Sequence, residues 1–207
     1  MTKIIQQGAE AIILKEKNKI IKRRAPKSYR LKELDDKIRC QRTKKEAKLL
    51  EKASKVIYIP KVINVNEHSH EIELEFIRGK RLSDHLNSFP ENEQLKIAEI
   101  IGKQLAKLHS IEIIHSDLTT SNIILEDKTK KIFFIDFGLG YGSNRREHRA
   151  VDLYLFKEAL EAKHFQNCEK LFKAFLKGYK AIMKSDYESI FQQLKKVEKR
   201  GRYKDKY

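Results

Sequence analysis

The segment His115-Ser116-Asp117-Leu118-Thr119-Thr120-Ser121-Asn122 sets a carboxylate and an amide a short loop apart, and a second carboxylate follows in Asp136-Phe137-Gly138. Carboxylate and amide oxygens are hard donors of the kind that hold Mg²⁺, and a positioned carboxylate can take a proton. Taken singly, each fragment is common: Asp-Phe-Gly often ends a strand in a turn, and His-x-Asp is commoner still. Their order and tight separation, with Asp152 following in AVDLY, argue against coincidence.

Such groups need rigid elements beneath them. Asp136 ends the apolar run KIFFI, and NIILEDKTKKIFFIDFG reads as two strands around a turn at Asp127-Lys128-Thr129-Lys130. Upstream, SFPENEQ reads as a helix start with Ser88 as cap and Glu91 three residues on. Ala98, Ile101, Leu105 and Leu108 then form an apolar stripe at helical spacing. Residues from Val151 to Lys199 are helical by pattern, and the basic RGRYKDKY reads as a mobile tail.

The first part of the chain is different in kind. IIQQGAEAIIL and IIKRR read as short strands joined by a turn at Lys17-Asn18-Lys19. Residues 35–53 are rich in helix formers, and Asp35 and Asp36 stand where the helix dipole favours negative charge. Two strands follow, PKVINVNE and HEIELEFI. The second alternates Ile72, Leu74 and Phe76 with Glu71, Glu73 and Glu75, and it runs into a hinge at Arg78-Gly79. The expectation is an α+β chain, with a β-rich lobe carrying one main helix over residues 1–78 and a reduced, mostly helical lobe with a basic tail over 79–207.

HSDLTTSN and the Asp-Phe-Gly that follows resemble the catalytic loop and the metal-binding loop of protein kinases. That resemblance implies a two-lobed kinase-like fold and transfer of the γ-phosphoryl group of ATP. Asp117 would accept or orient the proton of the attacking hydroxyl or water. Asn122 would bind one Mg²⁺ through its amide oxygen, and Asp136 would bind Mg²⁺ bridging the phosphates. Phe137 would pack between the lobes, and Gly138 would free the backbone to turn. Lys22, in the strand IIK, is placed like the lysine that contacts the α and β phosphates, and Glu46 in TKKEAKLL like its ion-pair partner. Lys27 and Arg24 stand as alternatives to Lys22 if the strand register differs. Gln7-Gly8-Ala9-Glu10-Ala11 sits where a phosphate-covering loop belongs, although with one glycine an ordinary hairpin turn explains it equally well. Glu75-Phe76-Ile77 falls at the lobe junction, where kinase backbones bind adenine; an edge strand running into a linker would look the same.

Together QGAEA, IIKRRAPKSYR, TKKEAKLL, HSDLTTSN, IDFGLG and AVDLY resemble the kinase subunit of the KEOPS complex, a family of minimal atypical kinases related to the RIO kinases. The resemblance covers nearly the whole chain. It implies a cytoplasmic Mg²⁺-ATP-dependent serine/threonine kinase and ATPase. Its partners would be the other KEOPS subunits, chiefly the threonylcarbamoyl-transfer subunit, and tRNA. It also makes Asp152 a buried carboxylate that braces the catalytic loop. Two departures stand out: the family usually has Gly where Ser116 stands, and tends to have an acidic residue where His148 stands. A Cβ at Ser116 is tolerable only if φ there is negative. The chain also lacks the long segment and Ala-Pro-Glu that follow Asp-Phe-Gly in large protein kinases, leaving little platform for a broad peptide substrate.

Composition fits this reading. The 207 residues carry 45 Lys and Arg against 29 Asp and Glu, a net charge of +16 that favours polyanionic partners. Lys37, Arg39, Arg42, Lys44, Lys45 and Lys48 crowd one helix, predicted to be positive over at least half its surface. Lys195, Lys196, Lys199, Arg200, Arg202 and Lys204 crowd the C-terminal end. Of these, Lys199, Arg200 and Arg202 are the tRNA candidates, against the simpler reading of a solvated tail. No apolar run approaches a membrane span and no signal peptide is expected. Cys40 and Cys168 lack metal-ligand spacing and read as reduced thiols. Two other classes stay open: a non-catalytic RNA-binding scaffold with a vestigial nucleotide site, and a small-molecule kinase of the aminoglycoside or choline type. The short second lobe leaves the latter no room for an added substrate-binding subdomain.

Overall fold

The computed structural model describes residues 2–8 and 10–202, and Met1, Ala9 and residues 203–207 lie outside it. The first lobe is one antiparallel sheet of β1 (Thr2–Gln7), β2 (Ala11–Glu16), β3 (Lys19–Arg24), β4 (Val62–Asn66) and β5 (Glu71–Glu75). Its spatial order is β1-β2-β3-β5-β4. The β2–β3 turn closes through Lys17 at φ 49°. The helix α1 (Lys32–Ala53) packs between β3 and β4 in chain order. It starts three residues before the expected Asp35. Asp35 lies in the first turn as expected, and this buried carboxylate is also held by Arg39 at 2.7 Å, by Arg30 at 3.4 Å and by the Lys27 main chain.

The second lobe opens with β6 (Gly79–Arg81), which joins β8 (Ile123–Glu126) and β9 (Ile132–Phe134) in a three-stranded sheet. Gly79 is therefore a strand residue and not a free hinge. A Cβ there would run into the Leu125 carbonyl oxygen, so glycine is what lets β6 lie against β8. Between these strands come α2 (Leu82–His85) and α3 (Glu91–Ser110). Ser88 does not cap α3: its hydroxyl donates to the His85 carbonyl at 2.7 Å, and Pro90 stands at the cap with its carbonyl receiving Glu93 and Gln94. Phe89 is extended ahead of the proline, which separates Ser88 from the helix.

The two-residue strands β7 (Ile113–Ile114) and β10 (Tyr141–Gly142) pair across the chain's centre. The helices α4 (Arg146–Lys163), α5 (Cys168–Met183) and α6 (Tyr187–Arg202) complete the lobe. The expected stripe of α3 is fully buried, with Ala98, Ile101, Leu105 and Leu108 at 1% exposure or less. It meets Phe175 and Tyr179 of α5, and the Phe156 ring of α4 lies tilted against Phe175 at 4.4 Å between centroids. Burying each such side chain contributes on the order of 1.5–3 kcal/mol, which makes this lobe a firm base for the loops above it. Arg200, Gly201 and Arg202 continue α6, so the expected mobile tail is helical up to that point. No helix among the described residues is long and apolar enough to cross a membrane.

Candidate active site

Strand alternation decides which cations enter the cleft. In β3, Lys22 and Arg24 share the buried face while Arg23 points outward. On α1 the buried positions Thr43, Glu46 and Leu50 recur at helical spacing, which turns Glu46 toward that face of the sheet. Lys22 Nζ donates to Glu46 Oε1 at 2.7 Å, and Arg24 Nη2 donates to Glu46 Oε2 at 2.5 Å. One carboxylate thus anchors two buried cations.

The same amine crosses the cleft. Lys22 Nζ also donates to Asp136 Oδ1 at 2.6 Å. Asp136 follows β9 with φ 61°, a left-handed conformation that acidic side chains tolerate better than most. The Gly138 N–H donates to the same Oδ1 at 3.0 Å. Gly138 is not at positive φ, so its role is not conformational freedom. A Cβ there would stand 3.0 Å from Asp136 Oδ1 and 3.1 Å from Lys22 Nζ, crowding the ion pair. Phe137 is fully buried against the His115 ring at 4.7 Å.

Beside this pair, Asn122 Nδ2 donates to the Asp117 main-chain oxygen and to Asp117 Oδ2, both at 2.9 Å. With its nitrogen so committed, the amide oxygen is the atom Asn122 has left for a cation. The two carboxylates titrate in opposite directions. Burial raises the Asp117 pKa above its ordinary value, with Asn122 opposing. Burial would raise Asp136 too, but the Lys22 charge and hydrogen bond outweigh it and hold Asp136 below. Burial disfavours charge on Lys22, yet Glu46 and Asp136 together keep its pKa above the ordinary lysine value. Environments that push paired groups apart are the usual basis for dividing acid–base roles.

The loop that carries Asp117 is braced by Asp152 on α4. Its Oδ1 accepts the Ser116 N–H at 2.7 Å, and its Oδ2 accepts the His115 N–H at 2.7 Å. Fully buried His109 donates from Nε2 to Asp152 Oδ2 at 3.1 Å and accepts the Tyr179 hydroxyl at Nδ1, 2.7 Å. Burial keeps the His109 pKa below its ordinary value, so the ring is neutral. Ser116 itself sits at φ 64°. The expectation of a negative φ there is overturned: the two N–H bonds to Asp152 impose the left-handed turn despite the Cβ.

Lys22, Glu46, Glu75, Ile77, Asn122 and Asp136 all line one cavity of about 300 Å³ between the lobes, walled also by apolar side chains such as Ile13 and Leu74. The expected covering loop does not. That part of the wall is Ile5 and Gln6, whereas Gln7, Gly8 and Glu10 lie outside it. The Gly8 N–H closes a tight turn onto the Ala11 carbonyl, and Glu10 is drawn to Arg42 of α1 at 2.5 Å and to Lys27 at 3.8 Å. Ala9 lies outside the described residues. Lys27 therefore serves Glu10 and not the cleft. A larger depression of about 670 Å³ along Lys157, Phe172 and Tyr187 touches none of these groups.

Among the described residues no three acidic, histidine or cysteine side chains cluster as a metal cage. Asp136 and Asn122 supply two hard oxygens, too few for a closed site but suited to Mg²⁺ that brings phosphate and water ligands of its own. Elsewhere Arg39 and Arg42 on α1 are paired with acids, and Lys44 meets Glu67 at 2.7 Å, so the helix is less positive than its composition. Lys199 is exposed, Arg200 pairs with Glu147 at 2.5 Å, and the Arg202 side chain lies outside the description. His148 contacts the Ser143 hydroxyl at 2.8 Å and the Tyr141 ring. Sequence reasoning missed the shared use of Glu46 by Arg24, though the two-residue strand period could have signalled it. It also missed the Tyr179–His109–Asp152 chain, for which no local signal exists.

The protein kinase domain model matches residues 2–187. The chain is 39% identical to the KEOPS complex subunit Bud32 of Pyrococcus abyssi, over 99% of this chain and 97% of that protein. It is 38% identical to a probable bifunctional tRNA threonylcarbamoyladenosine biosynthesis protein of Methanobrevibacter smithii. That match takes in 97% of this chain but only 36% of the relative's length. The solved structure of WaaP in complex with acyl carrier protein shares the fold, with a TM-score of 0.60 at 12% identity over 95% of this chain and 88% of that one.

Proposed function

Because this chain belongs to the protein kinase family and, within it, to the Bud32 group, we propose that it is a Mg²⁺-ATP-dependent atypical serine/threonine kinase and ATPase. We place it as a subunit of the KEOPS complex, acting in threonylcarbamoyladenosine modification of tRNA. The observation that carries the chemistry is Lys22, held between Glu46 at 2.7 Å and Asp136 at 2.6 Å where the two lobes meet.

In this reading Lys22 contacts the α and β phosphates, and Glu46 keeps the amine aimed while Arg24 balances the carboxylate's second oxygen. Asp136 and Asn122 would hold Mg²⁺, which supplies charge neutralisation on the phosphates when bound. Asp117 takes the proton as a serine or threonine hydroxyl, or water, attacks the γ-phosphorus and the β–γ bridging oxygen leaves with ADP. Glu75 and Ile77 face the base, and the apolar cavity wall favours a purine. Asp152 holds the loop that carries Asp117. The partners in this reading are the other KEOPS subunits, chiefly the one that transfers the threonylcarbamoyl group, and tRNA. The bifunctional relative supports such a partnership, since there a matching segment forms 36% of one longer chain. A cytoplasmic setting belongs to the same proposal and is consistent with the free thiols Cys40 and Cys168.

The test is turnover of ATP with Mg²⁺ by the chain alone and with its partners, with and without tRNA. Label transfer to the chain itself is expected in isolation, and hydrolysis stimulated by tRNA in the complex. Asp117→Ala and Asp136→Ala should abolish both. Nucleotide binding with no turnover under any of these conditions would instead make the chain a scaffold with a vestigial site.

A further inference from the structure

We infer that His164, at the C-terminal end of α4, is a positioning residue for Asn122: through the Thr120 hydroxyl it fixes the short turn that carries the Asn122 amide into the cleft. The role rests on the proposed function, in which Asn122 holds Mg²⁺.

The hydrogen bonds assign the protons. Asn87, in the turn Leu86–Ser88 after α2, donates from Nδ2 to the Lys163 carbonyl at 3.1 Å, so its amide oxygen is the atom facing His164 Nδ1 at 2.7 Å. An amide oxygen only accepts, so Nδ1 carries the ring proton. His164 is buried, and burial together with the Lys163 charge holds its pKa below the ordinary value, so the ring is neutral. Nε2 is then an acceptor, and the buried Thr120 hydroxyl donates to it at 3.1 Å. The donors run one way, from Thr120 to His164, while Asn87 ties the ring to the carbonyl that ends α4. Neither Thr120 nor His164 lines the cavity, so an effect on the reaction has to pass through the turn.

The turn Thr120–Asn122 has few bonds of its own. It is a three-residue 3₁₀ turn whose cap residue, Thr119, makes no side-chain bond to it, and the Asn122 N–H closes it onto the Thr119 carbonyl at 3.0 Å. Hydrogen bonds in such turns have poor geometry. Threonine is stiff at χ1, so an anchored hydroxyl also anchors the backbone that bears it. Asn122 ends the same turn, in the cavity wall, with Nδ2 committed to Asp117 at 2.9 Å. A shift of the turn carries the amide oxygen with it, and Mg²⁺ tolerates little departure from octahedral geometry.

α4 thus grips the loop at two points. Asp152 holds the His115 and Ser116 N–H groups ahead of Asp117, and His164, at the far end of the same helix, holds Thr120 ahead of Asn122. A side chain that only filled this part of the lobe would need no partner on the turn. An apolar one would occupy the volume without a buried polar chain to satisfy.

The experiment uses the full chain and compares Thr120→Val, His164→Asn, Thr120→Ser and His164→Gln with wild type. Valine keeps the branched shape and removes the hydroxyl, and asparagine replaces Nδ1 without reaching Thr120. Serine keeps the hydroxyl, and glutamine brings an amide oxygen to the place of Nε2. Three quantities are read: the Mg²⁺ concentration at half-maximal ATP turnover, Mn²⁺ affinity with ADP by electron paramagnetic resonance, and the His164 ring nitrogen shifts in the nucleotide-free chain by NMR. Thr120→Val and His164→Asn should each raise the Mg²⁺ midpoint and weaken Mn²⁺ binding by roughly threefold to tenfold, at or below the loss on removing a metal ligand's direct partner. The double variant should be no worse than either single one, as one chain of contacts requires. Thr120→Ser and His164→Gln should restore most of the loss. Wild-type His164 should show a protonated Nδ1 and an unprotonated Nε2, and the reverse tautomer would overturn the donor chain. If Thr120→Val keeps the wild-type midpoint and Mn²⁺ affinity, or if turnover falls with melting temperature while both stay unchanged, the positioning role is refuted and the proposed function stands. If wild type neither turns over ATP nor binds Mn²⁺ with ADP, the proposed function falls and the role with it.

Discussion

Lys22 and Asp152 are both buried charged groups beside one cleft, but their partners differ in kind. Lys22 is held by two carboxylates from separate elements, Glu46 on α1 and Asp136 after β9. Asp152 is held by the main-chain N–H groups of His115 and Ser116 and by a neutral histidine. The first set consists of side chains that can re-aim, and a phosphate can replace a carboxylate as partner of the amine. The second is fixed to the backbone, and no solvent or substrate atom reaches it. The Lys22 side of the cleft is built for exchange of partners and the loop of His115 and Ser116 is built for permanence.

Removing the permanent member should do the most damage. Asp152→Ala leaves three donors unpaired, two of them buried, and is expected to destabilise the chain by about 3–5 kcal/mol, read by denaturant unfolding. A loss under 1 kcal/mol would erase the contrast.

Lys22→Met tests the exchangeable side. It should lower ATP turnover by about a hundredfold or more, with stability changed by less than about 1.5 kcal/mol, because Glu46 keeps Arg24. Unfolding as severe as that of Asp152→Ala would show Lys22 to be structural.

Ser116→Gly sharpens the comparison from the other direction. The left-handed turn imposed by Asp152 is unfavourable for serine by about 1–2 kcal/mol, and glycine removes that while adding unfolded-chain entropy. A net gain of up to about 1 kcal/mol is expected, seen as a higher melting temperature with ATP turnover retained. Lower stability would mean that the turn carries no strain.

The smallest effect is on pH. Burial raises the folded pKa of Asp117, so its ionised form is disfavoured by folding and the base is lost as pH falls through a value above 3.8. Asp136, held down by Lys22 against burial, contributes stability above pH 3.8 that is lost as pH falls through its lower folded pKa. The acid limb of ATP turnover should therefore follow Asp117. It should move upward by a fraction of a unit in Lys22→Met, since Lys22 is one of the charges lowering it. A limb that does not move would separate Asp117 from the amine.

Much of the fold was legible because it is local. The α3 stripe, the β8–β9 pair with its turn, and the alternation of β5 follow from period and turn chemistry alone. Ser88 misled because a cap pattern was read across Pro90, which forces an extended residue before it. The loop at Gln7–Glu10 misled because the partner of Glu10 is Arg42, a residue 32 positions away on another element. In the site, motif spacing brought Asp117, Asn122 and Asp136 into view. Nothing near Tyr179 in the chain marks it as a neighbour of His109, 70 residues before it.

By itself the sequence determined which chemical groups are present, in what order, and on what kind of local element each rides, since strand and helix periods act over a few residues. The tertiary structure alone decided that Glu46 serves two cations, that Lys22 reaches Asp136, and that Ser116 takes a positive φ. Each of these depends on where a buried charge finds its partner. Such a charge must be matched by whatever the fold brings within about 3 Å, however distant in the chain.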